Sequence, residues 1–437
     1  MNSPGIREIM SIKLSFEDTK KWKVKYIKYG FYSLCITLFL MPFPRGWSLY
    51  PLGVTLFLGM MAWFTDFGFY VKLFRQKMSI ILPLITYFII YASGLIIEFN
   101  LLHVIDKLMF LLVPILAIPI LMDKDFLKRI HIILLFFVAG IIIISIFQFS
   151  RAAFESFSIE NGVLKFQPFI SPGVSRFNWE HLSTFEHPTY IAIKTLWAFT
   201  LILFAGEYFK VNRFLQIVFV TVFSIFIYFL AVRAGLLIII LLIIWFIFKM
   251  IKKKAIKILF ILLAPFIFLL IFRIMMTNER TNYWYDHLFG RVLNEKVDWI
   301  NIEPRTRSWY SSVNLIKEKP LFGIGLNSRD KLAEEHRRQG FNVEADFRLN
   351  SHNQFLETQL AFGIPGTLIL LWMLLTPLIK RRSSWNPDLI IPFLIIVCVS
   401  MLFESILVRQ WGIMFFVLFY CILLIPDKPG SEQKCSV

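Results

Sequence analysis

The chain has 437 residues, of which 57% are hydrophobic, 17% are charged and 48 are Phe. Apolar runs of membrane-spanning length recur from end to end, which excludes a soluble protein built round one core. The formal net charge of +17 is spread over many short connections rather than one face, which argues against nucleic-acid binding.

Backbone polar groups must be satisfied inside lipid, so long non-alternating apolar runs mean helices rather than a barrel. The expected fold is an all-α polytopic integral membrane protein with about twelve transmembrane helices. A basic tail, 1–26, carries Lys20, Lys21, Lys23 and Lys25 and lacks a small-residue cleavage site, so the first span is expected to be retained. Spans are expected near 27–44, 49–66, 78–97, 104–122, 130–149, 187–206, 213–231, 235–249, 256–275, 358–379, 388–406 and 411–426. The seventh and eighth lie close together, split at Arg233.

Lys72, Arg75 and Lys77, then Lys124, Lys128 and Arg129, fall on the same side as the basic tail. So do Lys252 to Lys254 and the Lys380-Arg381-Arg382 run, while the opposite short loops carry mostly single basic residues. Both termini are therefore expected to be cytoplasmic. Helices one to nine occupy 27–275, with a smaller outer loop near 150–187. A large outer loop of about 276–352, or 276–357 up to the next span, precedes three more helices in 358–426 and a tail of 427–437. The large loop is rich in Arg, Trp, Tyr, Asn and acidic residues, which predicts a folded cap with amphipathic helices. Long loops in an otherwise compact architecture usually carry function.

Near the end of that loop the chain reads Asn350-Ser351-His352-Asn353-Gln354-Phe355-Leu356-Glu357, and Gly363-Ile364-Pro365-Gly366 follows. His352 thus opens a short helix that a Gly-Pro-Gly break ends before an apolar run. A histidine at a membrane surface is a candidate proton acceptor; the alternative is one that caps the helix. Arg233 stands between two strongly apolar helices, where a guanidinium either snorkels or faces a cavity and grips an anion such as phosphate. Arg305 and Arg307 lie in Glu303-Pro304-Arg305-Thr306-Arg307-Ser308-Trp309, and a turn-forming Pro320-Leu321-Phe322-Gly323-Ile324-Gly325 run follows. Solvated charge on a cap helix is the simpler reading of both arginines, and the favoured one for Arg307.

Glu404 is an acid in an apolar span, able to orient an Arg or His or to pair with Arg409. Lys194 is read as snorkelling, and His187-Pro188 as a helix cap. His181 is given no partner. Asp123-Lys124-Asp125 has the form of a metal-binding pair but falls in a cytoplasmic loop, and is read as a solvated turn. Cys35, Cys398, Cys421 and Cys435 show no metal spacing and no disulfide framework. No metal and no cofactor are expected.

Taken together, these motifs resemble the bacterial O-antigen ligase family. The pattern is His352-Asn353, nine residues, Gly363, two residues, Gly366. Arg233 with Leu237 is similar to the family's Arg/Leu signature, and the stretch from Arg305 through Trp309 to Gly325 is similar to its large-loop segment. Glu404-Ser405 and Gln410-Trp411-Gly412 resemble the ending of its penultimate span. The likeness runs over roughly residues 215–425. It implies a multi-pass protein of the bacterial inner membrane with its active site on the periplasmic side. It also implies a glycosyltransferase that moves glycan from undecaprenyl diphosphate to a hydroxyl of lipid A–core oligosaccharide, in lipopolysaccharide biosynthesis. O-antigen polymerases share the same region and accept a growing glycan instead.

Within that chemistry His352 is expected to take the acceptor's proton and Arg233 to stabilise the departing diphosphate. Arg305, Arg307 and Glu404 are expected to bind substrate. A single displacement inverts the anomeric centre. The competing class is a flippase for the same lipid-linked glycan. Its usual marks, repeated halves and broken helices near the midplane, are not evident in the sequence.

Overall fold

The computed structural model describes residues 16–44, 46–94, 104–160, 163–171, 174–177, 179–209, 211–259, 262–263, 266 and 303–426. Most of the expected ninth span, the first part of the large loop, residues 1–15 of the basic tail and the tail 427–437 with Cys435 lie outside them.

The helices follow the apolar runs closely. They are α1 (Phe16–Leu40), α2 (Leu49–Thr65), α3 (Phe67–Ser93), α4 (Met109–Leu116), α5 (Ile118–Leu121) and α6 (Phe126–Glu155). Four short strands follow, β1 (Phe157–Glu160), β2 (Val163–Phe166), β3 (Phe169–Ser171) and β4 (Val174–Ser175). Then come α7 (Trp179–Leu182), α8 (Pro188–Ala205), α9 (Arg213–Leu230) and α10 (Arg233–Met250). The cap holds α11 (Pro304–Glu318), α12 (Ser328–Arg338) and α13 (Asn342–Asp346), and α14 (Gln354–Ile379), α15 (Ile390–Phe403) and α16 (Gln410–Leu424) complete the bundle.

Among the described residues, six helices (α3, α6, α8, α9, α10 and α14) are long and apolar enough to cross a membrane, and α2, α15 and α16 are shorter apolar helices. The chain is thus a largely helical, multi-pass membrane protein. Two departures from the expected spans have clear causes. Helix α3 starts at Phe67 rather than 78, because Lys72, Arg75 and Lys77 extend the helix beyond its apolar stretch. The run 104–122 is two helices, divided at Ala117 between Pro114 and Pro119, each of which lacks a backbone donor.

The described residues are largely helical, consistent with the expected all-α membrane protein, with one small addition. Between α6 and α8 the backbone forms two antiparallel hairpins, β1–β2 and β3–β4. Strands of two to four residues leave too short an alternation to stand out from a loop.

Helices α8 and α16 are apolar all round and are buried along nearly their whole length, as a helix hydrophobic on every face must be. Trp197 of α8 and Phe419 of α16 meet edge to face at 5.4 Å. Lys194, expected to snorkel, is instead 1% exposed on α8; it pairs with buried Glu186 and donates to the Met41 carbonyl at 2.7 Å. Burial without a partner is costly for an ammonium, and the partner sits just outside the helix, where helical spacing does not reveal it.

The break in α14 decides how the cap docks. Gly363 adopts φ 63°, ψ −150°, which divides the helix in two. Pro365 has no N–H for the Ala361 carbonyl, and the break separates Ile364 from Leu360. The run Leu321 to Gly325 supplies what is missing. Ile324 N–H donates to Leu360 O at 2.8 Å, Gly325 N–H to Ala361 O at 3.0 Å, and Ile364 N–H donates to Leu321 O at 3.1 Å. Every backbone group freed at this point is thereby recovered. A Cβ on Gly363 would stand 2.2 Å from Leu321 O, and one on Gly323 would stand 2.6 Å from Leu360 O. The two glycine motifs are therefore one device, a loop stitched into a broken helix. A small core of Leu315, Ile324, Leu332 and Leu360 seals the cap on α14.

Candidate functional site

The turn before α14 places His352. Asn353, not His352, caps the helix: its Oδ1 accepts from Phe355 N at 2.9 Å and Leu356 N at 3.1 Å. This removes the capping explanation for His352. Its backbone is left-handed (φ 45°), and its N–H donates to Asn350 Oδ1 at 3.0 Å. Such a conformation is uncommon for a residue with a Cβ and is often found at functional sites.

The His352 ring meets Glu404, with Nδ1 3.3 Å from Oε2. Helix α15 ends at Phe403, so Glu404 lies in the extended connection beyond it rather than within a span. Burial pushes the Glu404 carboxyl up, but His352, then Arg305 and His187, outweigh it and hold it at about 2. Glu404 is therefore a carboxylate and can only accept. In a neutral His352 ring Nδ1 must then carry the proton, which leaves Nε2 as the basic nitrogen. The Glu404 hydrogen bond goes to His352, not to Arg409 as the alternative reading had it.

Behind this pair is a layer of polar contacts, most of them buried. Ser351 donates from its N–H and hydroxyl to Glu357 Oε2 at 3.1 and 2.7 Å, and its hydroxyl lies 3.4 Å from that of Ser405. Gln354 Oε1 accepts from Leu407 N at 2.7 Å, and Asn353 Nδ2 donates to Leu402 O at 3.1 Å. Lys107, 3% exposed and 300 residues from Leu407 in sequence, donates to the carbonyls of Leu407 and Val408. Together they hold the His352 turn against the Glu404 connection. Glu357 and Lys107 were given no role from sequence. Both are ionisable residues in apolar surroundings, and that signal could have found them.

Arg233 is the first residue of α10, placed there by a sharp turn at Ala231 (φ 50°). Its guanidinium donates to Glu303 Oε1 at 2.9 Å. Glu303 is the N-cap position of α11, and Arg305 stands two residues on. The Arg233–Glu303 bond thus ties α10 to the helix that carries Arg305, and Arg305 acts on Glu404. Arg307 takes another direction: it pairs with Glu344, which is fully buried, at 2.5 Å and packs over the Phe341 ring. It is not the solvated cation that the sequence favoured.

His187 caps α8, its Nδ1 accepting from Thr189 N at 3.4 Å. The carbonyl of His181 receives Arg151. Asp123 and Asp125 both face Arg129 at 3.6 Å, and Lys128 holds Asp125 at 2.9 Å. Among the described residues, no group of three or more His, Cys, Asp or Glu side chains is placed to share a metal ion. Cys35, Cys398 and Cys421 are free thiols.

Residues 217–371 match the family model described as O-antigen ligase. This region is similar to the O-antigen ligase family. The match runs from α9 into the second half of α14, and it takes in Arg233, Arg305, Arg307, His352 and both glycines of the broken helix. Glu404 and Lys107 lie outside the family region and join it only through the fold. No match to a curated protein is found.

Proposed function

We propose that the chain is an O-antigen ligase-like glycosyltransferase that moves glycan from undecaprenyl diphosphate to a hydroxyl of lipid A–core oligosaccharide. The observation that carries this reading is the His352–Glu404 pair with Arg305 acting on it, in a chain whose ligase-family region holds Arg233, Arg305 and His352. The acceptor hydroxyl attacks the anomeric carbon, the bond from that carbon to the diphosphate oxygen breaks, and its electron pair leaves with the diphosphate. The acceptor's proton passes to His352 Nε2, while Glu404 keeps Nδ1 protonated and the ring in place. One displacement inverts the anomeric centre.

Arg233 and Arg305 face the departing diphosphate, where fixed cations stabilise the growing charge. In this reading Glu404 orients the base, and Arg307 supports the site by holding the cap through Glu344. No step uses a metal, so transfer persists in excess chelator. The reading places both termini in the cytoplasm of a twelve-span protein of the inner membrane, with residues 303–352 in the periplasm.

A flippase is disfavoured. The break in α14 is clamped by three backbone hydrogen bonds to the loop 321–325, whereas alternating access needs a part that moves. The deciding experiment is a reconstituted transfer assay that offers labelled lipid-linked glycan to both acceptors. Label on lipid A–core supports the ligase, lengthened lipid-linked chains mean the polymerase of the same family, and neither product refutes both.

A further inference from the structure

The β1–β2 hairpin has two unlike faces. In its register Phe157 lies opposite Phe166 and Ile159 opposite Leu164, while Ser158 lies opposite Lys165. Directly opposed residues share a face, and successive residues alternate. One face is therefore Phe157, Ile159, Leu164 and Phe166; the other carries Ser158 and Lys165, with Val163 beside them. All four residues of the apolar face are more than half exposed, Ile159 by 76%. The Phe157 and Phe166 rings meet at 5.2 Å, tilted by 58°, which joins them in one apolar surface.

Two-stranded hairpins are marginal in water and need a surface to pack on. A contiguous apolar surface of this kind marks a site of protein or membrane contact. What covers it follows from its place in the chain. Helix α6 is long and apolar enough to cross a bilayer and exposes a stripe of Ile143, Ile146, Phe147 and Phe154 along one side, a surface suited to lipid. Phe154 is 81% exposed in the last turn, and Phe157 follows after three residues. The apolar face of the hairpin continues the exposed stripe of α6 past the end of the helix. The same loop leads into α8, whose cap His187 acts on Glu404, so the hairpin lies at the end of the bundle that holds the candidate site.

We propose that the β1–β2 hairpin lies flat on the bilayer that α6 crosses, with Phe157, Ile159, Leu164 and Phe166 in the interfacial layer, exposed Lys165 on the opposite face, and the buried Ser158 hydroxyl turned to the protein. It anchors the connection between α6 and α8 at the end of the bundle that holds the candidate site. This assignment does not depend on the reaction catalysed.

Depth-resolved fluorescence tests it. Single cysteines at Ile159, Leu164, Ser158 and Lys165 are labelled with an environment-sensitive dye in the full chain, reconstituted in phosphatidylglycerol/phosphatidylethanolamine nanodiscs. Interfacial amphipathic elements sit about 5–10 Å into the headgroup–acyl boundary, so lipids brominated near the top of the chain should quench positions 159 and 164 roughly twofold more than 158 and 165. Amide exchange of the unmodified chain is a check free of substitutions: strands 157–160 and 163–166 should exchange faster in a non-lipid polymer than in nanodiscs. Equal, weak quenching at all four positions with unchanged exchange overturns the proposal. So does shielding of 159 and 164 without bromolipid quenching, which would mean that a second copy of the chain or another protein covers the face.

Discussion

The Arg233 guanidinium is held by the Glu303 carboxylate at 2.9 Å, and both side chains are partly exposed. Glu303 therefore occupies the cation that the proposed reaction turns towards diphosphate. The donor must displace this carboxylate or share the guanidinium with it. Glu303→Gln should lower the KM for lipid-linked donor and leave kcat within about twofold, because it removes a competitor rather than a contact. A raised KM in a folded variant would show that Glu303 aims Arg233 instead of competing for it. Arg233→Lys keeps the charge but loses the planar fork. It should remain strongly impaired, by roughly 10²-fold in kcat, the scale of losing one aimed donor.

The seam between Gly363 and Leu321 gives a stability prediction. Gly363→Ala adds a Cβ 2.2 Å from Leu321 O and strains a residue at φ 63°. The expected destabilisation is roughly 2–4 kcal/mol, combining backbone strain with overpacking. It is checked by thermal unfolding in detergent beside Gly53→Ala, whose added methyl meets open space. Equal unfolding temperatures for the two variants would mean that the cap does not depend on the stitched break.

The layer behind the site makes a kinetic prediction. Glu357→Gln removes the charge that accepts two Ser351 hydrogen bonds. Turnover should fall about ten- to a hundredfold, on the scale of charge-assisted hydrogen bonds, with donor KM little changed. A loss expressed mainly in KM would place Glu357 in substrate binding.

A fourth prediction concerns pH and the cap. His336 is buried, and burial, with Arg307 and His352 adding to it, depresses its imidazole from 6.5 to about 4. The unfolded chain therefore takes up a proton first. Stability is fully present above about pH 6.5 and is lost as pH falls towards 4, by up to about 3 kcal/mol. His336→Leu removes this titration. Its unfolding temperature relative to the unsubstituted chain should rise steadily between pH 7 and pH 5, whereas a difference independent of pH would contradict the assignment.

Much of this architecture was legible because membrane helices declare themselves by length and composition. The expected spans 187–206 and 213–231 correspond to Pro188–Ala205 and Arg213–Leu230. The glycine-proline break was legible too, since Pro365 cannot donate and Gly363 can turn. The sequence did not reveal what fills the break: the bonds from Ile324 and Gly325 are tertiary, and periodicity says nothing of them. Whether His352 caps the helix was left open by the sequence for a local reason. Asn353 and His352 are adjacent, and only the left-handed turn decides which side chain faces the helix end. Lys107 and Leu407 meet from opposite ends of the chain, and the partner of Lys194 lies outside its own helix. The hairpins were missed because their alternation covers only two to four residues a strand.

The most direct test is single-turnover transfer by purified, folded His352→Ala with saturating lipid-linked donor. Loss of a general base costs roughly 10²–10⁴ in rate, so turnover should fall within that range while donor affinity, measured separately by binding, stays near that of the unsubstituted protein. Turnover close to that of the unsubstituted chain would contradict the base assignment. Lost donor binding in His352→Ala, with donor binding kept in Arg233→Ala, would show the two roles to be reversed.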